Sequence, residues 1–276
     1  MSQGQGTALI TGASAGIGSV YADRLARRRY DLVLVARDEA KLNALASRLS
    51  GETGVRVEVL SADLADAVDT RKVEARLQED DITMLVNNAG VAMSGPTIGM
   101  DPERLDAMIQ LNVAVATRLA RAVAPGLVQR GRGDIVNIAS VAGIRGDQPA
   151  ISVGYSASKA YLLAFSEGLD SELSSSGVRV QAVLSGATRT ELWAKGGIDI
   201  NTLPPEIVMD TGDMVDAALA GLDQGERVTI PALPDIADWT AFKTARAALG
   251  PNLSHRLPAQ RYASRTSDRV PLQDAS

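Results

Sequence analysis

The chain has 276 residues, 45% of them hydrophobic and 22% charged, with a net charge of −5. That is enough apolar material for one sizeable core, and the lack of any basic block excludes the electrostatic footprint of a nucleic-acid or anionic-membrane binder. Zero cysteines and a single histidine, His255 in a polar tail, exclude disulfides, thiolate catalysis and thiolate metal sites. Chemistry must come from hydroxyls, amines, carboxylates or a bound cofactor, with no metal expected. The N-terminus has neither a basic nor an apolar leader region, and no run reaches the roughly 18 apolar residues of a membrane span, so a soluble, cytoplasmic protein is expected, with small molecules and copies of itself as partners.

Residues 8–11 read as a first strand. The turn Thr11-Gly12-Ala13-Ser14-Ala15-Gly16-Ile17-Gly18 follows at once and leads into a helical pattern with Val20 and Leu25. Glycines at Gly12, Gly16 and Gly18 let the backbone turn tightly toward a pyrophosphate, while the next helix offers it free N–H groups and a positive dipole end. Residues 32–36 form a second strand, continuously apolar as expected where helices cover both faces. NAD-preferring sites carry a carboxylate at the end of such a strand, but here stands Arg37. A guanidinium favours a 2′-phosphate, so NADP(H) is expected over NAD(H), with Ser14 as a second donor and Asp38 as a helix N-cap.

Further strands are predicted at 55–60, 84–87, 134–139, 178–184 and 227–230, alternating with helical patterns. This is the signature of βαβ units and of an α/β fold with a doubly wound parallel sheet in a single domain. Asp101-Pro102-Glu103 opens a helix running toward Arg130, which Pro125-Gly126 is expected to kink or end early. A second long helix is predicted over 154–175, closed by Gly177. Its first turns hold Tyr155 and Lys159, stacked one turn apart on one face. A free phenol has a pKa of about 10, and a cation within ~4–6 Å lowers it by roughly 1–3 units, as general acid–base chemistry requires. Residues 251–276 are poor in apolar side chains and read as a C-terminal extension, after a domain spanning 1–250 that includes a substrate loop at about 187–212.

Together, Thr11-Gly12-x-x-x-Gly16-Ile17-Gly18, Asp63-Leu64, Asn87-Asn88-Ala89-Gly90, Asn112, Ser140 and Tyr155-x-x-x-Lys159 resemble, in order, the motifs of the single-domain short-chain dehydrogenase/reductase family. The resemblance implies a Rossmann-type fold with seven parallel strands and hydride transfer between a nicotinamide and a carbonyl or alcohol. It also implies roles. Tyr155 exchanges the proton, Ser140 polarises the same substrate oxygen, Lys159 holds the nicotinamide ribose, and Asn112 holds a backbone distortion and a water relay toward Lys159. Asp63 receives the adenine amino group beside Leu64, while Asn88, Ala89 and Gly90 line the central cofactor region. Gly186, Thr188 and Thr190 would contact the nicotinamide end. The family places Pro-Gly where this chain has Ser185-Gly186, so a more mobile or differently bonded loop is expected there.

The substrate pocket is expected from Val91, Met93, Val141, Ile144, Ser185, Leu192 and Trp193, with Arg145, Arg189 and Lys195 as nearby cations. This apolar set suits a hydrophobic ketone, aldehyde or secondary alcohol. A 3-oxoacyl thioester, as taken by acyl carrier protein reductases, is the alternative substrate, and a non-catalytic dinucleotide sensor is the non-enzymatic one. A homodimer or homotetramer is what the resemblance implies for assembly.

Overall fold

Seven strands pair in parallel in the order β3-β2-β1-β4-β5-β6-β7, with β1 Thr7–Thr11, β2 Asp31–Ala36, β3 Val57–Ser61, β4 Ile82–Asn87, β5 Gly133–Ser140, β6 Val178–Ser185 and β7 Val228–Thr229. Each overlaps its predicted segment. The computed structural model describes residues 5–145 and 152–262, with the side chain of Lys195 outside that description. Strand order reverses between β1 and β4, and ligands of open α/β sheets bind beyond the carboxyl ends of strands at such a point.

Alternate residues of one strand feed opposite layers of core. Ile10, Leu34 and Val86 pack with Tyr21 and Leu25 of α1 (Gly16–Arg27), Leu42 and Leu49 of α2 (Glu39–Thr53), and Met214 and Leu219 of α8 (Thr211–Asp223). Leu9, Val33 and Leu85 pack the other way, against Val73 and Leu77 of α3 (Ala67–Leu77), Leu119, Val123 and Leu127 of α5 (Ala116–Arg130), and Leu173 of α6 (Val153–Leu173). Burial on both faces is why these strands read as continuous apolar runs. The remaining helices of this unit are α4 (Pro102–Ile109) and the short α7 (Leu192–Lys195).

Charge fixes α1, which carries the glycine turn, to its neighbours. Asp23 on α1 is almost fully buried and accepts from Arg24, Arg27 and Arg48, while Arg24 also forks onto Asp216 of α8. Burial alone would raise the Asp23 carboxyl, but bonds from Arg27, Arg24 and Arg48 outweigh it and hold the group at about 2.

The helix expected to break at Pro125 does not. It runs from Pro102 to Arg130 without interruption, and its most apolar stretch is half buried within the fold. Pro125 and Arg121, whose carbonyl loses its N–H partner, both lie on the exposed face, where water can satisfy that oxygen. The irregularity falls instead at Gln110–Val115, a π-helical turn centred on Asn112. Asp101 caps this helix through Glu103 N (3.1 Å), and Asp38 caps α2 through Lys41 N (3.0 Å), as expected.

The chain forms two compact units, Met1–Ala232 and Leu233–Ser276. The described part of the second holds α9 (Ile236–Ala248), capped by Asp235, with Trp239 stacked on Phe242 at 5.1 Å. His255 is exposed and lies 3.3 Å from the Asn252 amide oxygen. Most of the expected C-terminal extension, from residue 263 on, lies outside the described residues, as do residues 146–151 of the loop expected to wall the substrate pocket.

Candidate active site

The carboxyl ends of β1, β4, β5 and β6 meet at the reversal in strand order, and the expected residues gather there. After β1 the chain turns at Gly12, whose φ is +66°. A Cβ there would stand 2.8 Å from the Asn88 amide nitrogen, and one at Gly18 would strike the Gly12 carbonyl, so neither position admits a side chain. The N-terminus of α1 is left open. Its cap residue, Ala15, offers no side-chain bond and the first turn holds no acidic residue, whereas α2, α3, α4, α6 and α9 are each capped by Asp or Ser. Uncapped N–H groups beside a tight glycine turn fit the pyrophosphate of a dinucleotide.

Around this cradle stand the other expected cofactor contacts. Thr190 lies against Gly16, 3.3 Å from where a Cβ would be, and Thr188 is buried with its hydroxyl donating to Gly186 O at 3.1 Å. Ser14 and Ile17 are half-buried on the turn. Arg37 projects from the end of β2 with its side chain largely exposed, 4.0 Å from Asp63. Leu64 is buried beside it. Asn88 donates to the carbonyls of Thr11 and Gly12, which clamps the segment Asn88-Ala89-Gly90 onto the glycine turn. Thr11 was quoted only as part of a motif, yet its hydroxyl accepts from both Asn88 N and Ala89 N at 3.0 Å.

Ser140 ends β5 and Tyr155 and Lys159 begin α6, all three buried. Ser140 Oγ donates to Ser185 O (3.1 Å) and accepts from Ala142 N (3.2 Å). Lys159 Nζ lies 5.6 Å from the centre of the Tyr155 ring and donates to Ile138 O at 2.7 Å. The ammonium is therefore turned to a backbone carbonyl. With the ammonium placed there, burial pushes Tyr155 up to about 12, opposed by a hydrogen bond with Ser140, so Lys159 does not lower the phenol as expected in this arrangement. Burial likewise brings the Lys159 ammonium down to about 8.

Asn112 is 1% exposed and holds the loop after β4 with both ends of its amide. Its Oδ1 accepts from Val91 N and its Nδ2 donates to Val91 O, each at 2.9 Å, and Nδ2 also reaches Ser158 Oγ at 3.2 Å. Ser158 in turn donates to Tyr155 O at 2.7 Å. The distortion expected around Asn112 is thus the π-helical turn, bonded on one side to the loop and on the other to the helix bearing Tyr155. Ser152, the N-cap of α6, accepts from Tyr155 N and donates its own N–H to Met93 O. Neither Ser152 nor Ser158 was singled out from sequence. The capping preference of serine just ahead of Gly154 was the available signal for the first.

Ser185, where the family has proline, makes a side-chain bond that proline cannot. It pairs with Ser140 as the last residue of β6, is 8% exposed, and its hydroxyl lies 3.3 Å from Ala139 O. Ser185→Pro removes that hydroxyl but keeps the carbonyl that orients Ser140. The expected result is turnover within about threefold of wild type and a loss near 1 kcal/mol, read from urea unfolding and steady-state rates; complete loss of activity would contradict it.

Of the expected pocket residues, Met93 is buried and packs with Tyr155, Met108 and Ala142, with Met100 and Leu105 alongside. It also lines a cavity of about 300 Å³, together with Ser94, Gly99, Met100, Asp101, Arg104, Ala194, Gly196 and Gly197. Val91, Val141, Ile144, Leu192 and Trp193 do not line that cavity; Val91 and Ile144 are exposed, and Trp193 Nε1 donates to Thr188 O at 2.7 Å. Arg189 is turned to Asp210 (3.2 Å).

A family model described as short chain dehydrogenase matches residues 6–200. Among solved structures, the chain is similar to a short-chain dehydrogenase from Sphingobium yanoikuyae in complex with NADPH, at 52% identity over 93% of this chain and 99% of that one, with a TM-score of 0.90. It is also similar to a bulky-bulky ketone specific alcohol dehydrogenase from Comamonas testosteroni, at 44% identity over 95% and 100% of the two chains, with a TM-score of 0.87. The very-long-chain 3-oxoacyl-CoA reductase of Anas platyrhynchos is 36% identical over 190 residues, 67% of this chain. The chain spans about 60% of the length of that curated relative and of its Danio rerio counterpart. With the matched region covering the glycine turn, Asn112, Ser140, Tyr155 and Lys159, the chain belongs to the short-chain dehydrogenase family.

Proposed function

We propose that this protein is an NADPH-dependent carbonyl reductase and alcohol dehydrogenase of the cytoplasm, acting on hydrophobic ketones, aldehydes or secondary alcohols as a homodimer or homotetramer. The observation that carries the reading is the meeting of Ser140, Tyr155 and Lys159 with an uncapped α1 and a glycine turn at one end of the sheet. The NADPH complex of the Sphingobium yanoikuyae relative and the ketone specificity of the Comamonas testosteroni relative support it.

Bound NADPH would supply hydride to the carbonyl carbon. Tyr155 gives its proton to the oxygen as negative charge gathers there, and the Ser140 hydroxyl, turning from Ser185 O, donates to the same oxygen. A phenol near 12 is still a far stronger acid than water at 15.7, and an alkoxide takes its proton readily. The reverse direction uses the same groups, with Tyr155 taking the proton back from the alcohol.

Arg37, exposed at the end of β2 and 4.0 Å from Asp63, would meet the 2′-phosphate, since the residue standing where NAD-preferring sites carry a carboxylate is a guanidinium. Arg37→Asp is expected to move the NADPH-to-NADH ratio of kcat/KM by about 10²-fold toward NADH, from the loss of charge-assisted bonds and the gain of repulsion. Wild-type rates with NADH equal to or above those with NADPH would overturn the Arg37 assignment. The 3-oxoacyl-CoA reductases at 36% and 35% identity favour a second reading, an acyl thioester substrate. Turnover of a simple aryl ketone against an acyl thioester separates the two.

A further inference from the structure

A ketone site must house two substituents as well as the carbonyl, and a cavity of about 300 Å³ lies beside the Tyr155 cluster. Met93 and Met100 belong to both: they line the cavity and pack in the cluster that holds Tyr155 and Met108. The inner wall is therefore apolar and adaptable, because methionine bends through three rotatable bonds.

Away from Tyr155 the lining changes character. Ser94, Asp101, Arg104 and the backbones of Gly99, Gly196 and Gly197 form a polar outer wall. Ser94 Oγ donates to Gly196 O at 2.8 Å and clasps the loop after β4 to the turn after α7. Asp101 is committed to its cap on Glu103 N. Arg104, one helical turn on, is exposed, and among the described residues no carboxylate lies within ion-pairing distance of it. A guanidinium without an acidic partner, at the rim of a cavity whose floor is methionine, fits the fork of a carboxylate.

The geometry points to a subsite for a carboxylate-bearing substrate: the cavity takes a ketone arm that is apolar next to the carbonyl and anionic at its end, with Arg104 as the specificity-determining residue. The inference rests on the ketone-reductase reading and names a substrate class for it.

The test is the ratio of kcat/KM, with NADPH, for an aryl ketone carrying a carboxylate on a short alkyl chain over that for its methyl ester. Wild type should prefer the keto acid. Arg104→Gln should lower the ratio about tenfold through KM, Arg104→Lys should restore most of it, and Arg104→Glu should invert it. The preference should also fade in 0.5 M KCl, since the rim is open to solvent. A ratio unmoved by Arg104→Gln and Arg104→Glu overturns the subsite while leaving the ketone-reductase reading intact. Failure to reduce either ketone overturns that reading by itself. Calorimetric binding of keto acid and ester, with NADPH present, then decides the subsite: Arg104-dependent preference for the acid upholds it, and equal binding refutes it.

Discussion

Tyr155→Phe is expected to lower carbonyl reduction by about 10²–10⁴-fold, the range of a positioned general acid, while NADPH binds as tightly as before. The substitution removes one hydroxyl from a ring that packs against Met93, Met108 and Ala142, so the wall of the site persists. Ser140 keeps its bonds to Ser185 O and Ala142 N, and the cradle at Gly12, Gly16 and Gly18 is untouched. Steady-state rates with a ketone and fluorescence titration with NADPH measure the two halves. A variant that reduced ketones at the wild-type rate would sink the assignment of Tyr155, and one that lost NADPH binding would make the residue structural. For the wild type, reduction consumes a proton delivered through Tyr155, so alcohol oxidation is expected to gain on reduction as pH rises from 7 toward 10.

The second large effect runs in two directions at once. Lys159→Met is expected to cut turnover by about 10²-fold or more and yet to stabilise the fold by roughly 1–2 kcal/mol at pH 7. Burial lowers the ammonium from 10.5 to about 8, which corresponds to about 3 kcal/mol against keeping it charged in the fold. Methionine avoids that cost but strands Ile138 O, which returns about 1 kcal/mol. The sign with pH follows from proton counts. Between about 8 and 10.5 the unfolded chain holds a proton that the folded one has released, so wild-type stability rises with pH there and the advantage of the variant shrinks. Below 8 the advantage is constant. Urea midpoints of both proteins from pH 6.5 to 10 check the slope, and a variant less stable than wild type at pH 7 would contradict the cost assigned to the buried lysine.

Much of the architecture was legible because it is written locally. Strands such as Leu32-Val33-Leu34-Val35 are continuous β-branched or leucine runs, and covering helices on both faces is the condition that permits them. Asp38 and Asp101 announce helix starts by type and spacing, and Asn112 stands out because an amide is costly inside a helix without a partner. What sequence left hidden depends on direction. Whether Pro125 breaks its helix turns on which face carries it, and the exposed face tolerates it. Whether Lys159 acidifies Tyr155 turns on where the ammonium points, and it points at Ile138 O. The cavity is lined by residues 93–104 and 194–197, segments about ninety positions apart whose approach no local pattern encodes.

The π-helical turn at Gln110–Val115 also has a bearing on how this chain tolerates length changes. A helix advances about 100° per residue, and a π turn accommodates one extra residue without passing that rotation on. Two angular phases are therefore spliced in the run from Pro102 to Arg130: one aims Met108 at the Tyr155 cluster, the other aims Leu119, Val123 and Leu127 at the sheet. Deleting a single residue from the splice would leave a smoother helix and a worse protein, because only one of the two phases could then face its proper core.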